Sequence, residues 1–186
     1  MNLIENAKNY IARRSLQKEY QAIRRQKANV SLEQARNIGV LYAISDEETY
    51  KTIHTFLKSL KTESRSVIAL GFLNDKKVPT FLHQGVYNSI ITLNDVNWFG
   101  KPVNQYVRNF FREKFDIFLN ISTSDHFPLL YISACVNASM KVGKYQEAHT
   151  EYYDLMIKTA DDTSQKELID TMLYYIEMIN QHKHES

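Results

Sequence analysis

Two hydrophobic rhythms alternate along the chain. Near its start Leu3, Ile4, Ala7, Tyr10 and Ile11, then Leu16, Tyr20 and Ile23, recur at spacings of mostly three to five, and neither Gly nor Pro intervenes before residue 39. That spacing predicts an amphipathic helix whose remaining surface carries Arg and Lys. Residues 31–35 predict a second short helix, with Ser31 and Gln34 placed as a capping box. From residue 38 the rhythm changes. Residues 38–44 are a nearly unbroken apolar run of strand length, as expected of a strand covered on both faces. Ser45 and Glu48 then have capping-box spacing ahead of a helical run to about residue 61, and residues 66–72 form a second buried strand.

The pattern continues less regularly. Pro79 allows residues 78–82 at most an edge strand, while residues 89–93 predict a further strand and residues 94–100 a loop. Pro102 suits the first turn of a helix through Val103, Tyr106, Val107, Phe110 and Phe111. Residues 115–121 are the next strand. Residues 127–142, rich in small and apolar side chains, predict one buried helix closed by Gly143 as its C-cap. Residues 152–157 fit the last strand, and Ser164 with Glu167 a capping box for the final helix. The order of elements predicts a three-layer α/β sandwich with a mainly parallel sheet, Rossmann-like or flavodoxin-like. It divides the chain into a basic amphipathic helical arm at 1–30 and a single α/β domain at 31–186.

In such a sheet, ligands bind beyond the carboxyl ends of the strands. This directs attention to Asp46 after the first strand, Asn94 and Asp95 in the middle loop, and Ser122, Ser124 and Asp125 after the long strand. The run from Ser122 to His126 is the strongest candidate, because hydroxyls and free N–H groups gather there at the positive end of a helix, suited to a phosphate or carboxylate. Ser124 or Asp125 also serves equally as an ordinary N-cap. A Ser–His–Asp reading of the same run lacks a Gly-x-Ser-x-Gly elbow. Asp46 with Asp95 or Asp125 offers oxygen ligands to Mg²⁺, but caps and turns account for each Asp separately. His182 and His184 have the spacing of a frayed tail, and Cys135 lies among apolar helical positions. No metal site and no cofactor are expected from these patterns.

Charge adds what periodicity does not carry. The net charge of +2 over 186 residues conceals an asymmetry: residues 1–30 hold seven basic and two acidic groups, giving +5, whereas residues 145–186 hold nine acidic and three basic, giving −6. A basic arm of this kind meets nucleic acid, an anionic surface or an acidic partner. Arg13, Arg14, Arg24 and Arg25 are its candidate contacts. They would serve a protein partner, with a homodimer as one such partner, or RNA, with Tyr10 and Tyr20 stacking. Docking on the chain's own acidic region is the competing expectation. No stretch approaches the roughly 18 apolar residues of a membrane span. The single cysteine and the absence of an apolar leader predict a cytoplasmic protein. The 44% hydrophobic content excludes a disordered chain.

The segments Asn37-Ile38-Gly39-Val40-Leu41, Leu93 to Pro102 with Trp98 and Phe99 at its centre, Phe115 to Ile121, and Lys141-Val142-Gly143 resemble a family of conserved bacterial proteins of unknown function. The resemblance spans most of the chain. It implies a small intracellular α/β protein with a basic N-terminal helix, and it brings no assigned activity, substrate or catalytic residue. On the residues alone, the expected function is a noncatalytic partner-binding module acting through the basic helix. A small-molecule enzyme or sensor for a phosphorylated ligand at the strand ends, and an RNA-associated protein, are the alternatives.

Overall fold

In the computed structural model, which describes residues 3–82 and 88–181, a long helix α1 (Leu3–Ala22) precedes the sheet. Then follow β1 (Asn37–Ile44), α2 (Glu47–Leu60), β2 (Ser66–Leu73), β3 (Asn88–Ile91), α3 (Gln105–Arg112) and β4 (Lys114–Asn120). The chain continues through α4 (Phe127–Cys135), β5 (Asn137–Lys144), β6 (Leu155–Ile157) and α5 (Gln165–Gln181). The strands form one sheet in the order β3-β2-β1-β4-β5-β6, and every neighbouring pair is parallel. This is the doubly wound order of the Rossmann type, in which the direction of winding reverses between β1 and β4.

The apolar run of β1 is continuous because both of its faces are covered. Ile38, Val40, Tyr42 and Ile44 join a cluster with Ile53 and Leu57 of α2 and Leu168, Ile169 and Met172 of α5. Leu41 and Ala43 join Val107 and Phe110 of α3 and Leu129 and Ile132 of α4 on the other side. Helix α1 lies outside α4 as an added layer, where Leu16 meets Tyr131, Ala134, Cys135 and Tyr152.

Several local expectations are corrected. Residues 31–35 make a single turn, not a helix: the Ser31–Gln34 bonds form at 3.5 and 3.2 Å. The Asp116 carboxylate then accepts the N–H groups of Arg36 and Asn37 and draws the chain into β1. The N-cap of α2 is Asp46, not Ser45; it accepts the Thr49 N–H at 2.7 Å while the Ser45 hydroxyl donates to Asp46. Residues 78–82 form no strand. Pro102 pairs with Val96 in an isolated bridge, and α3 begins after Asn104, which accepts the Tyr106 N–H.

The largest correction falls on residues 127–142, which are helix α4 followed by strand β5. Val136 ends the helix in an extended conformation without a glycine. Gly143 is a strand residue, where a Cβ would stand 2.5 Å from the Tyr153 ring. β6 is confined to three residues because Glu147–Tyr152 winds into a 3₁₀ helix. The Ser164–Glu167 capping box forms in full at the start of α5.

Candidate functional site

The carboxyl ends of β4 and β5 frame a polar recess. β4 ends in Asn120, whose side chain is fixed by three bonds: its amide donates to Ser133 Oγ at 3.1 Å and Tyr153 Oη at 2.8 Å, and its carbonyl oxygen accepts the Ser122 N–H at 3.1 Å. Burial raises the Tyr153 phenol, so that it stays protonated in this network. The recess, about 20 Å³, is further lined by Ser122, Ser124, Asp125, Lys144 and His149. It has room for one water-sized group. Ser122 is only 6% exposed, and its hydroxyl finds no hydrogen-bond partner among the described residues.

Helix α4 starts at the same place with its N-terminus open. Its N-cap is His126, whose side chain accepts nothing from the helix, and Pro128 occupies the first turn. Neither Ser124 nor Asp125 therefore holds the N-cap position expected of it. The Leu129 and Leu130 N–H groups bond the His126 carbonyl at 2.9 and 3.2 Å and Pro128 has no N–H, so among the described residues the Phe127 N–H alone stands over at the positive end of the helix.

Next to the recess, sharing Asp125, Leu130 and His149 with it, lies a cleft of about 420 Å³ between α1 and the 3₁₀ segment Glu147–Tyr152. Arg13, Leu16 and Gln17 of α1 form one wall, and Phe127 and Tyr152 contribute to the other side. Burial holds the His149 imidazole below its usual value, with Arg13 adding to this and Asp125 opposing it. The Gln17 amide donates to Tyr152 Oη at 3.0 Å, and the Tyr20 hydroxyl donates to the Glu151 carbonyl at 2.7 Å, which fixes α1 over the cleft.

The structure thus groups Ser122, Ser124 and Asp125, and brings Arg13 to the adjoining cleft. It leaves the other sequence candidates apart. Asp46 is occupied in capping α2, and its bonds from Ser45 and the Thr49 backbone lower its carboxyl. Asp95 accepts both the N–H and the hydroxyl of Thr92, and Asn94 donates to the Lys76 carbonyl. Among the described residues no three His, Cys, Asp or Glu side chains cluster to hold a metal ion. His182 and His184 lie outside the described residues.

The arm arginines divide as well. Arg25 is turned inward: it donates to the Ala138 and Ser139 carbonyls at 2.9 and 3.2 Å and pairs with Asp154. Burial alone would raise the Asp154 carboxyl, but the bonds from Arg25 and the Lys141 N–H outweigh it and the net shift is downward. Arg14 donates to Tyr10 Oη at 2.9 Å on the exposed face of α1, and Arg24 is exposed. Docked as far back as Ala12, α1 leaves its first nine described residues free of the domain. There Leu3 is 86%, Ile4 74% and Tyr10 62% exposed.

Residue spacing did not single out Asn120, Lys144, His149 or Lys141. Lys141 on β5 is fully buried, and its ammonium nitrogen donates to the Ser133 and Ala134 carbonyls at the carboxyl end of α4. Burial, reinforced by Arg25, lowers it to about 7. The same burial pushes the neighbouring Cys135 thiol up to about 12, which makes it an unreactive packing group.

No helix among the described residues is long and apolar enough to cross a membrane. Residues 8–179 match the family model described as a family of unknown function (DUF6913), and the chain belongs to that family. No curated protein and no solved structure matches the chain.

Proposed function

We propose that the chain is a noncatalytic binding module of the cytoplasm, and that the free half of its basic helix α1 takes its partner. The observation that carries this reading is the exposure of Leu3, Ile4 and Tyr10 on a helix anchored only through its second half. An apolar stripe on a basic helix calls for a surface that is apolar and acidic. The chain itself carries such a surface: α5 exposes Tyr174 and Tyr175 beside Glu177, within the region of net charge −6. The proposed partner is therefore a second copy, with the α1 tip of each protomer against α5 of the other, a reciprocal arrangement that closes a dimer.

The pairing of Arg25 with Asp154 weighs against RNA, since it removes one of the four arm arginines from the surface. Sedimentation equilibrium of the full chain tests the proposal. A dimer is expected that weakens with salt. Leu3→Asp with Tyr10→Asp should yield monomers whose melting midpoint no longer rises with protein concentration, and Glu177→Lys should weaken pairing. A chain that stays monomeric overturns the reading. Salt-sensitive RNA binding lost in Arg14→Ala with Arg24→Ala would replace it with the nucleic-acid alternative.

A further inference from the structure

The recess between β4 and β5 holds a combination that protein structures seldom leave unused. Ser122 keeps a hydroxyl nine-tenths buried with no hydrogen-bond partner among the described residues. Leaving such a group unpaired costs about 1–3 kcal/mol, and most buried polar groups in proteins are paired. Beside it, the N-terminus of the nine-residue helix α4 has no side-chain cap. Lys144, at the end of β5, lines the same recess, and Ser124 supplies a further hydroxyl. An acceptor-rich anion satisfies all four: the hydroxyls and the Phe127 N–H donate, since Leu129 and Leu130 already bond the His126 carbonyl, and the lysine neutralises.

We infer that the Ser122–Phe127 loop binds the phosphate of a phosphate monoester, or free phosphate, with one oxygen entering the recess between Ser122 and Lys144. The remaining oxygens face Ser124 and the first turn of α4. The organic part of a monoester lies in the 420 Å³ cleft against Leu16, Phe127 and Tyr152, with Arg13 at its rim. A volume of this order suits a small metabolite. Asp125, on the wall common to cleft and recess, opposes the charge of the phosphate and favours a ligand whose other end carries a hydroxyl or amine donor. The site is independent of the α1 tip, so failure of one proposal leaves the other standing.

The test is a titration of the full chain with inorganic phosphate and, separately, ribose 5-phosphate, followed through the backbone amide resonances of residues 122–130 and the melting midpoint. Chloride at matched ionic strength is the control. Saturable shifts centred on Ser122 and Phe127 are expected. Ser122→Ala and Lys144→Gln should each weaken binding about tenfold, the loss expected for one hydrogen bond to a charged group. Asp125→Asn should strengthen it. Without ligand, Ser122→Ala should melt no lower than the parent, because the hydroxyl it removes has no partner among the described residues. Tighter binding of the sugar phosphate than of phosphate identifies a monoester site; equal affinities identify a site for free phosphate. Shifts that fail to saturate, that chloride reproduces, or that survive both Ser122→Ala and Lys144→Gln would overturn the proposal and leave a recess that holds only water.

Discussion

Lys141 is the residue whose chemistry most exceeds its sequence signal. Its two acceptors, the Ser133 and Ala134 carbonyls, are among the orphan carbonyls at the end of α4, so the side chain of a strand caps a helix from below. Because its value in the fold, about 7, is below the usual lysine value, the folded chain gives up this proton earlier than the unfolded chain. Stability must therefore rise as pH increases above 7, by at most about 1.4 kcal/mol per pH unit. Above about pH 9 the buried Cys135 thiol opposes the trend, since the unfolded chain ionises it first. Urea denaturation between pH 7 and 9 should show this rise in the parent and a flat profile in Lys141→Met. The variant should be less stable by about 1–3 kcal/mol at pH 9, for the two carbonyls left unpaired, with the gap closing toward pH 7. Equal slopes would mean that Lys141 does not titrate in this window. Nothing in the run Met140, Lys141, Val142 announces this role, because both carbonyls come from another element. Ser122, Ser124 and Asp125 were legible, since a loop after a buried strand is at the ligand edge wherever the strand lies in the sheet. Asn120, Lys144 and His149 were not, because their convergence depends on β5 lying beside β4.

At the scale of elements, legibility followed the presence of local punctuation. The α5 capping box forms as Ser164 and Glu167 suggest, and β1 and β2 sit within a residue of their apolar runs. Where one buried element meets another without Gly or Pro, the boundary disappears from the sequence. Val136 ends α4 only because the backbone extends there to pair β5 with β4, a long-range cause. Gly143 looked like a C-cap and instead makes room for an aromatic ring. Tyr153 lies against it and accepts the Asn120 amide, so this glycine holds the wall of the recess in place. Gly143→Ala should force the ring away and destabilise the chain by about 1–3 kcal/mol, the usual range for overpacking. Denaturant titration checks the stability, and loss of the Asn120 side-chain amide resonance position checks the displacement. A neutral substitution would show that the Tyr153 ring can yield.

Across the whole molecule, the division of the chain at residue 30 suggested by its charge meets a different division in its contacts. The half of α1 that holds Ala12 and Leu16, and the extended stretch after it, are built into the fold: Leu16 covers Tyr131 and Tyr152, Lys101 pairs with Glu19, and the Ala28 N–H reaches the Ser139 carbonyl at 3.1 Å. Only the first turns stand clear. Two truncations separate these descriptions. Removing residues 1–11 deletes Leu3, Ile4 and Tyr10 but none of the docked side chains, so the melting midpoint, read at a concentration where the parent is monomeric, should stay within about 2 °C, while self-association at higher concentration disappears. Removing residues 1–30 uncovers the cluster under Leu16, a loss of about 2–5 kcal/mol, and leaves the partly buried Asp154 carboxylate without Arg25 and Lys27. A fall in the midpoint of about 10 °C or more should follow, read by calorimetry. A chain lacking residues 1–30 that melts like the parent would make the whole helix an appendage. The cleft between α1 and Tyr152 would then owe nothing to the stability of the fold, and the basic helix would be free along its full length to serve a partner.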